Sequence, residues 1–261
     1  MIELSLGISP CPNDVFIFSG LILEKVRIPD ISLRISYFDI ETLNERAIAN
    51  ELDIVKISYA NYQRCESNYE LLSTGGALGR GVGPLLLSHG QEWRPDEEVL
   101  VPGQYTTANF LLDFWAQGQL KKRFKCFTDV YADLCNKPTA QGVVIHEKRF
   151  TYVQDGLTLI QDLGAFWEDK TGYPIPLGCL LARRGLKTES IVDAIQQSLR
   201  WAYDHEELAL SLCQQHASDL TPAVIRSHID LYVNEYSNAL GPLGEEAVAF
   251  FLKRVRQTVA V

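Results

Sequence analysis

The chain has 261 residues, enough for one large domain or two modest ones. Hydrophobic residues make up 46% and charged residues 22%, the balance of a globular protein with a real core. The formal net charge of −9 argues against general nucleic-acid binding and against an anionic membrane surface, although a locally positive site still suits an anion. The six cysteines are scattered without a C-x-x-C pair, which predicts reduced thiols and no zinc site. No apolar run approaches a membrane span, and Met1 to Gly7 reads as a strand rather than a signal peptide, so the expected location is cytoplasmic.

The first half alternates strand-like and helix-like segments. Ile2 to Ile8 reads as a strand, Ser9-Pro-Cys-Pro-Asn-Asp14 as a stiff loop, and Val15 to about Leu23 as an apolar helix. In 31–38, Leu33, Ile35 and Tyr37 alternate with polar neighbours, as a strand requires. A short helix over 41–49 and a strand over 53–57, closed by Ser58 and Tyr59, follow. This alternation predicts a mostly parallel sheet flanked by helices.

After the glycine-rich connection 75–83 and a strand-like run over 84–87, the pattern restarts. Strands are predicted over 98–101, 123–127 and 143–145, with helices over 106–117 and 129–135. Further strands follow over 157–160 and 177–182, the last after the stiff Tyr173-Pro-Ile-Pro176. Beyond Arg184 only helical spacing is found; Asp204 can cap one helix, and Thr221-Pro222 starts another. Two βαβ series joined twice predict two α/β lobes with a cleft between them, the layout of a periplasmic-binding-protein-like (type II) fold. The large lobe is expected over 1–88 plus 177–261, and an inserted small lobe over 89–176.

The stretch Gly142 to Tyr152 carries the sharpest chemistry. An apolar strand stops at His146, Glu147, Lys148 and Arg149, and the carboxyl ends of strands border the ligand crevice of open α/β sheets. As structure alone, the same residues make a strand ending in a solvated charged turn. His146-Glu147 lacks the second histidine of H-E-x-x-H, no G-x-S-x-G elbow is present, and the glycine cluster lacks G-K-[S/T]. That cluster reads as a hinge, with Arg80 as its one candidate for an anionic ligand.

Other candidates sit at predicted loop and strand ends. Ser9, Asn13 and Asp14 can line the cleft from the first loop, where Asn13 or Asp14 can also cap the helix. Cys11 has no obvious base beside it and reads as a bystander thiol. Lys56 and Ser58 close the third strand, and a lysine on a buried strand needs an acidic partner or a path to water. Thr106 and Thr107 open a helix whose N-terminus suits a carboxylate, while simple capping uses one of the two. Among the histidines, His228 reads as packed on the core, His205 and His216 as solvated near helix ends, and His89 as part of the crossing beside Gly90. His146 is thus the best acid/base candidate.

Six motifs in order then resemble one family: Ser9 to Phe18, Glu41-Thr-Leu-Asn44, Lys56-Ile-Ser-Tyr59, Gly75 to Pro84, Val101-Pro-Gly-x-x-Thr-Thr107 and Ile145-His-Glu-x-Arg-Phe-Thr-Tyr152. Together they are similar to the 1,4-dihydroxy-6-naphthoate synthases of the futalosine route to menaquinone. The resemblance implies a cofactor-free carbon–carbon lyase acting on an anionic small molecule, cyclic dehypoxanthine futalosine. It places the general base on His146 and substrate contacts on Val55, Lys56, Ile57 and Ser58 and on Thr106 and Thr107. Arg80 or Lys56 is a candidate partner for the substrate carboxylate. Two other readings stay open, a chorismate dehydratase of the same pathway and a non-catalytic binding protein on the same scaffold.

Overall fold

A computed structural model describes residues 2–90 and 92–259. In the first half the elements are β1 (Ile2–Ile8), α1 (Pro12–Ile22), β2 (Ile31–Tyr37), α2 (Ile40–Ile48), β3 (Ile54–Ser58), α3 (Tyr62–Cys65), β4 (Tyr69–Leu71), β5 (Ala77–Gly79) and β6 (Leu85–Ser88). Then come β7 (Val99–Val101), α4 (Thr107–Ala116), β8 (Lys122–Phe124), α5 (Phe127–Asn136), β9 (Gln141–Val144), β10 (Thr158–Asp162), α6 (Leu163–Thr171) and β11 (Ile175–Arg183). Five helices end the described chain: α7 (Thr188–Asp204), α8 (Glu206–His216), α9 (Pro222–Tyr232), α10 (Glu235–Asn238) and α11 (Gly241–Val259).

The strands form two sheets. One runs β2-β1-β3-β11-β4, with β5 also paired to β11; the other runs β10-β6-β9-β7-β8. The expectation of mostly parallel sheets is corrected. Only β1 with β2 and β3, and β7 with β8 and β9, are parallel. β11 returns from the second sheet and enters the first against the direction of β3, and β6 pairs antiparallel with β9 and β10. Pro176 is tolerated in β11 because it lies at a register shift between Pro176 and Gly178, where a ladder donor is not needed.

Burial follows side-chain pattern. After its polar first turn, α1 carries the consecutive apolar residues Val15, Phe16, Ile17 and Phe18, which point to all sides of the helix and are fully enclosed. It shares one core with Ile54 of β3, Ile191, Ile195 and Leu199 of α7, and Ile225 and Ile229 of α9. The opposite core joins Val55 and Ile57 of β3 to Leu43 of α2, Phe110 of α4, Trp167 of α6 and Phe251 of α11. Trp167 is the hub of an aromatic cluster, its ring centroid 5.3 Å from that of Phe251 and 5.1 Å from that of Phe114. Aromatic rings at these spacings and edge-on angles add to the area they bury. Where the chain first passes to the second sheet, Gly83 and Gly164 meet backbone to backbone. A Cβ on Gly83 would stand 2.2 Å from the Gly164 Cα, so neither position admits a side chain.

Candidate active site

One cavity gathers the ends of elements from both sheets: Ser9, Asn13 and Asp14 after β1, Lys56 and Ser58 on β3, Thr106, Thr107 and Ala108 at the start of α4, and His146 after β9. Arg149, His228 and Tyr232 complete this wall. Three predicted contacts are not brought together with them. Val55 and Ile57 have no exposed surface and point into the core of the opposite face, because side chains alternate along a strand and Lys56 and Ser58 take the cavity side. Arg80 is 52% exposed at its side chain, where it donates to the Gly172 carbonyl and faces Glu168. It stands outside the cavity lining, tied to the C-terminal end of α6.

The cavity floor is an ion pair. Lys56 Nζ donates to Asp14 at 2.7 Å and to the Gly75 carbonyl at 2.7 Å, and both charged side chains are nearly inaccessible. Asp14 also accepts from the Ser9 hydroxyl at 2.7 Å, the Ser9 amide at 3.2 Å and the Asn13 side chain at 3.0 Å. The carboxylate therefore anchors the first loop rather than capping α1, whose N-cap, Cys11, makes no side-chain cap bond. Such a pair survives burial because each charge has its counter-charge and further polar partners. Ser58 is held in the same way: its amide donates to Asn44 Oδ1 at 2.9 Å, and Asn44 donates back to its hydroxyl at 3.2 Å.

On the facing side, both threonine hydroxyls are engaged. Thr106 caps α4 by accepting from the Asn109 amide at 3.2 Å and donates to the Gly103 carbonyl. Thr107 donates to the Leu177 carbonyl at 2.8 Å. The backbone amides of Thr107 and Ala108 make no hydrogen bond among the described residues and stand at the positive pole of a ten-residue helix. These amides, rather than the hydroxyls, are the free donors here. An anion is the ligand class they suit.

His146 begins the 3-10 turn His146–Phe150 in a left-handed backbone conformation, φ +61°. For a residue with a Cβ that costs about 1–3 kcal/mol, so surrounding contacts must hold it. Phe127 packs edge-on against the imidazole, centroids 5.1 Å apart, and Cys11 Sγ lies 3.5 Å from Nδ1. Cys11 is a buried thiol, as expected of it, but it is not without a neighbour: the His146 imidazole lies against it. Burial lowers the pKa of His146, against the opposing pull of Glu147, Asp14 and Asp39. The ring is thus neutral at physiological pH, as a proton acceptor must be. Arg149 supports the turn rather than serving as a free cation: it donates to the Gly83 carbonyl and lies 3.4 Å from Asp162.

Among the lining residues that sequence reasoning did not place in the site are Ala108, Tyr232 and His228. Ala108 contributes only its amide. His228 lies on a helix that is distant in sequence, and its apolar neighbours signal only a buried face. Among the described residues no three histidine, cysteine, aspartate or glutamate side chains gather as a metal site, and no helix is long and apolar enough to cross a membrane.

Comparison with known proteins bears on this arrangement. A family profile described as menaquinone biosynthesis matches residues 4–257. A Thermus thermophilus protein described as "1,4-dihydroxy-6-naphtoate synthase" is 42% identical over 253 residues, covering 95% of this chain and 92% of the relative. A Streptomyces coelicolor protein of the same description is 38% identical, covering 96% and 92%. Among solved structures, a protein of Archaeoglobus fulgidus superposes with TM-score 0.91 at 26% identity, covering 99% of this chain and 98% of that one. The periplasmic aliphatic sulphonate binding protein of Escherichia coli superposes at TM-score 0.64 and 14% identity, covering 98% and 91%, which speaks to the fold alone. The fold is periplasmic-binding-protein-like, and the chain belongs to the menaquinone biosynthesis family, alongside relatives described as 1,4-dihydroxy-6-naphthoate synthases.

Proposed function

We propose that this enzyme is a carbon–carbon lyase that converts cyclic dehypoxanthine futalosine to 1,4-dihydroxy-6-naphthoate, with His146 as general base. One observation carries the reading: a histidine and two unpaired helix-terminal amides share one cavity in a chain of this family. The amides of Thr107 and Ala108 receive the substrate carboxylate. The open nitrogen of His146, Nε2, takes a hydroxyl proton, and the sugar-derived fragment departs as the ring system aromatises. A base so positioned is worth roughly 10²–10⁴-fold in rate. Lys56, already balanced by Asp14, shapes the floor and is not the main carboxylate partner.

In this reading residues 1–88 with 177–261 form the large lobe and 89–176 the small one, the cavity lies between them, and the enzyme works in the cytoplasm without a cofactor. Purified protein incubated with cyclic dehypoxanthine futalosine is expected to release the naphthoate. His146→Ala is expected to bind substrate and lose roughly 10²–10⁴-fold in kcat. Absence of product from the wild-type protein refutes the reading, and full activity in the variant removes His146 from the mechanism.

A further inference from the structure

His228 sits on α9, whose Ile225 and Ile229 serve the core of the first sheet, while its own side chain and that of Tyr232 reach the cavity wall. The residue is 1% exposed, and neither Nδ1 nor Nε2 has a hydrogen-bond partner among the described residues. Aromatic rings hold it in place: Tyr232 lies 4.6 Å away between centroids and Phe150 6.4 Å. Neither ring gives the imidazole nitrogens a hydrogen bond, the Tyr232 hydroxyl included. A buried polar group left without partners is destabilising, and a leucine or phenylalanine would pack here without that penalty. An imidazole that is buried, unpaired and at a cavity wall is a site waiting for a ligand atom.

We infer that His228 is a substrate-binding residue of this enzyme, and that it hydrogen-bonds a hydroxyl on the sugar-derived part of the substrate. The assignment rests on the lyase reading above. The chemical class follows from the ring. Buried as it is, the imidazole is neutral and offers one donor and one acceptor. A hydroxyl offers the same pair, whereas a carboxylate offers acceptors only and already has the amides at the start of α4. The turn that begins at His146 packs on α9, its Phe150 ring 6.4 Å from that of His228, and both histidines line the one cavity. The two imidazoles therefore address the same end of the substrate, one removing a proton and the other holding a neighbouring oxygen.

The test compares wild-type protein with His228→Phe and His228→Gln on cyclic dehypoxanthine futalosine, following KM, kcat and thermal melting. His228→Phe removes both polar atoms and is expected to melt at or above the wild-type temperature while KM rises about tenfold, and His228→Gln is expected to recover part of that loss. A purely structural role predicts the reverse, a lower melting temperature with unchanged KM. A second measurement does not depend on how these variants fold: ¹⁵N-histidine-labelled His146→Ala protein, expected to bind substrate and turn it over slowly, should show the His228 ring nitrogens shifting when substrate is added. Wild-type kinetics in His228→Phe, or unmoved ring nitrogens at saturating substrate, overturn the assignment while leaving the lyase reading intact. A wild-type protein that leaves the substrate unchanged overturns both.

Discussion

Cys11 Sγ and His146 Nδ1 stand 3.5 Å apart across the junction of the two sheets, joining the first loop of the chain to the strand end that carries the candidate base. Burial, reinforced by Glu147, pushes the Cys11 thiol far up, so the sulfur is a neutral thiol and not a thiolate nucleophile. A thiol sulfur accepting from Nδ1–H leaves the lone pair on Nε2, the tautomer a base needs. Cys11 is then a positioning residue. Cys11→Ala is expected to lower kcat about fivefold with KM little changed, and Cys11→Ser, which keeps an acceptor, to restore most of it. Steady-state kinetics of the two variants decide the matter; equal loss in both would mean that packing, not the hydrogen bond, is what Cys11 supplies.

The free amides of α4 give a second test. Thr106 has ψ 151°, the extended geometry that a following proline demands, and proline at the first helical position is well tolerated. Thr107→Pro therefore removes one amide donor without breaking the helix, but it also removes the hydroxyl bond to Leu177. Thr107→Val removes the hydroxyl alone. KM is expected to be about tenfold higher in the proline variant than in the valine variant, because a hydrogen bond to a charged acceptor is lost. Equal KM values would place the carboxylate elsewhere.

Arg80 illustrates how far sequence reasoning reached. A glycine-rich hinge with one arginine suggested an anion site, but the hinge turns that side chain outward to Gly172 and Glu168. Arg80→Ala is expected to leave kcat/KM within about twofold of wild type, since an exposed pair of this kind contributes little. A larger kinetic loss would return Arg80 to the site.

What could be read from the sequence was local. The alternation in β3 was visible, and the lysine on a buried strand demanded an acidic partner, which Asp14 supplies at 2.7 Å. Val55 and Ile57, which the resemblance offered beside Lys56 and Ser58, fall on the other side of that alternation, with their side chains in the core. The βαβ rhythm located most strands, but it carried no information on the direction of β11, which depends on how the chain returns from the second sheet. His228 and the pairing of Cys11 with His146 depend on contacts across 80 to 135 residues of chain, for which hydrophobic periodicity offers no signal.

The Lys56–Asp14 pair should dominate the stability of the cavity floor. Lys56→Met leaves a carboxylate with 2% side-chain exposure facing no cation, and the loss expected on unfolding by denaturant is about 3–5 kcal/mol. Adding Asp14→Asn removes the stranded charge while keeping acceptors for Ser9, so the double variant should regain much of the loss. A single variant as stable as wild type would show that water reaches Asp14.

Acid stability probes the unpaired imidazole independently of turnover. Burial holds the His228 pKa down to about 3 in the folded protein, against about 6.5 for a histidine in an unfolded chain. Above pH 6.5 neither state binds the proton, and the group adds no pH dependence. Between 6.5 and 3 the unfolded chain takes up a proton that the folded one refuses, so folding loses about 1.4 kcal/mol per pH unit from this group as the pH falls. His228→Phe cannot bind that proton in either state. The stability of the variant relative to wild type, measured by urea unfolding, is therefore expected to improve by about 2 kcal/mol between pH 7.5 and pH 5. The contribution of His146, also depressed by burial, is common to both proteins and cancels to first order. A difference that stays constant with pH would mean that His228 is solvated and protonates freely in the folded state, and the imidazole would then have water rather than substrate as its partner.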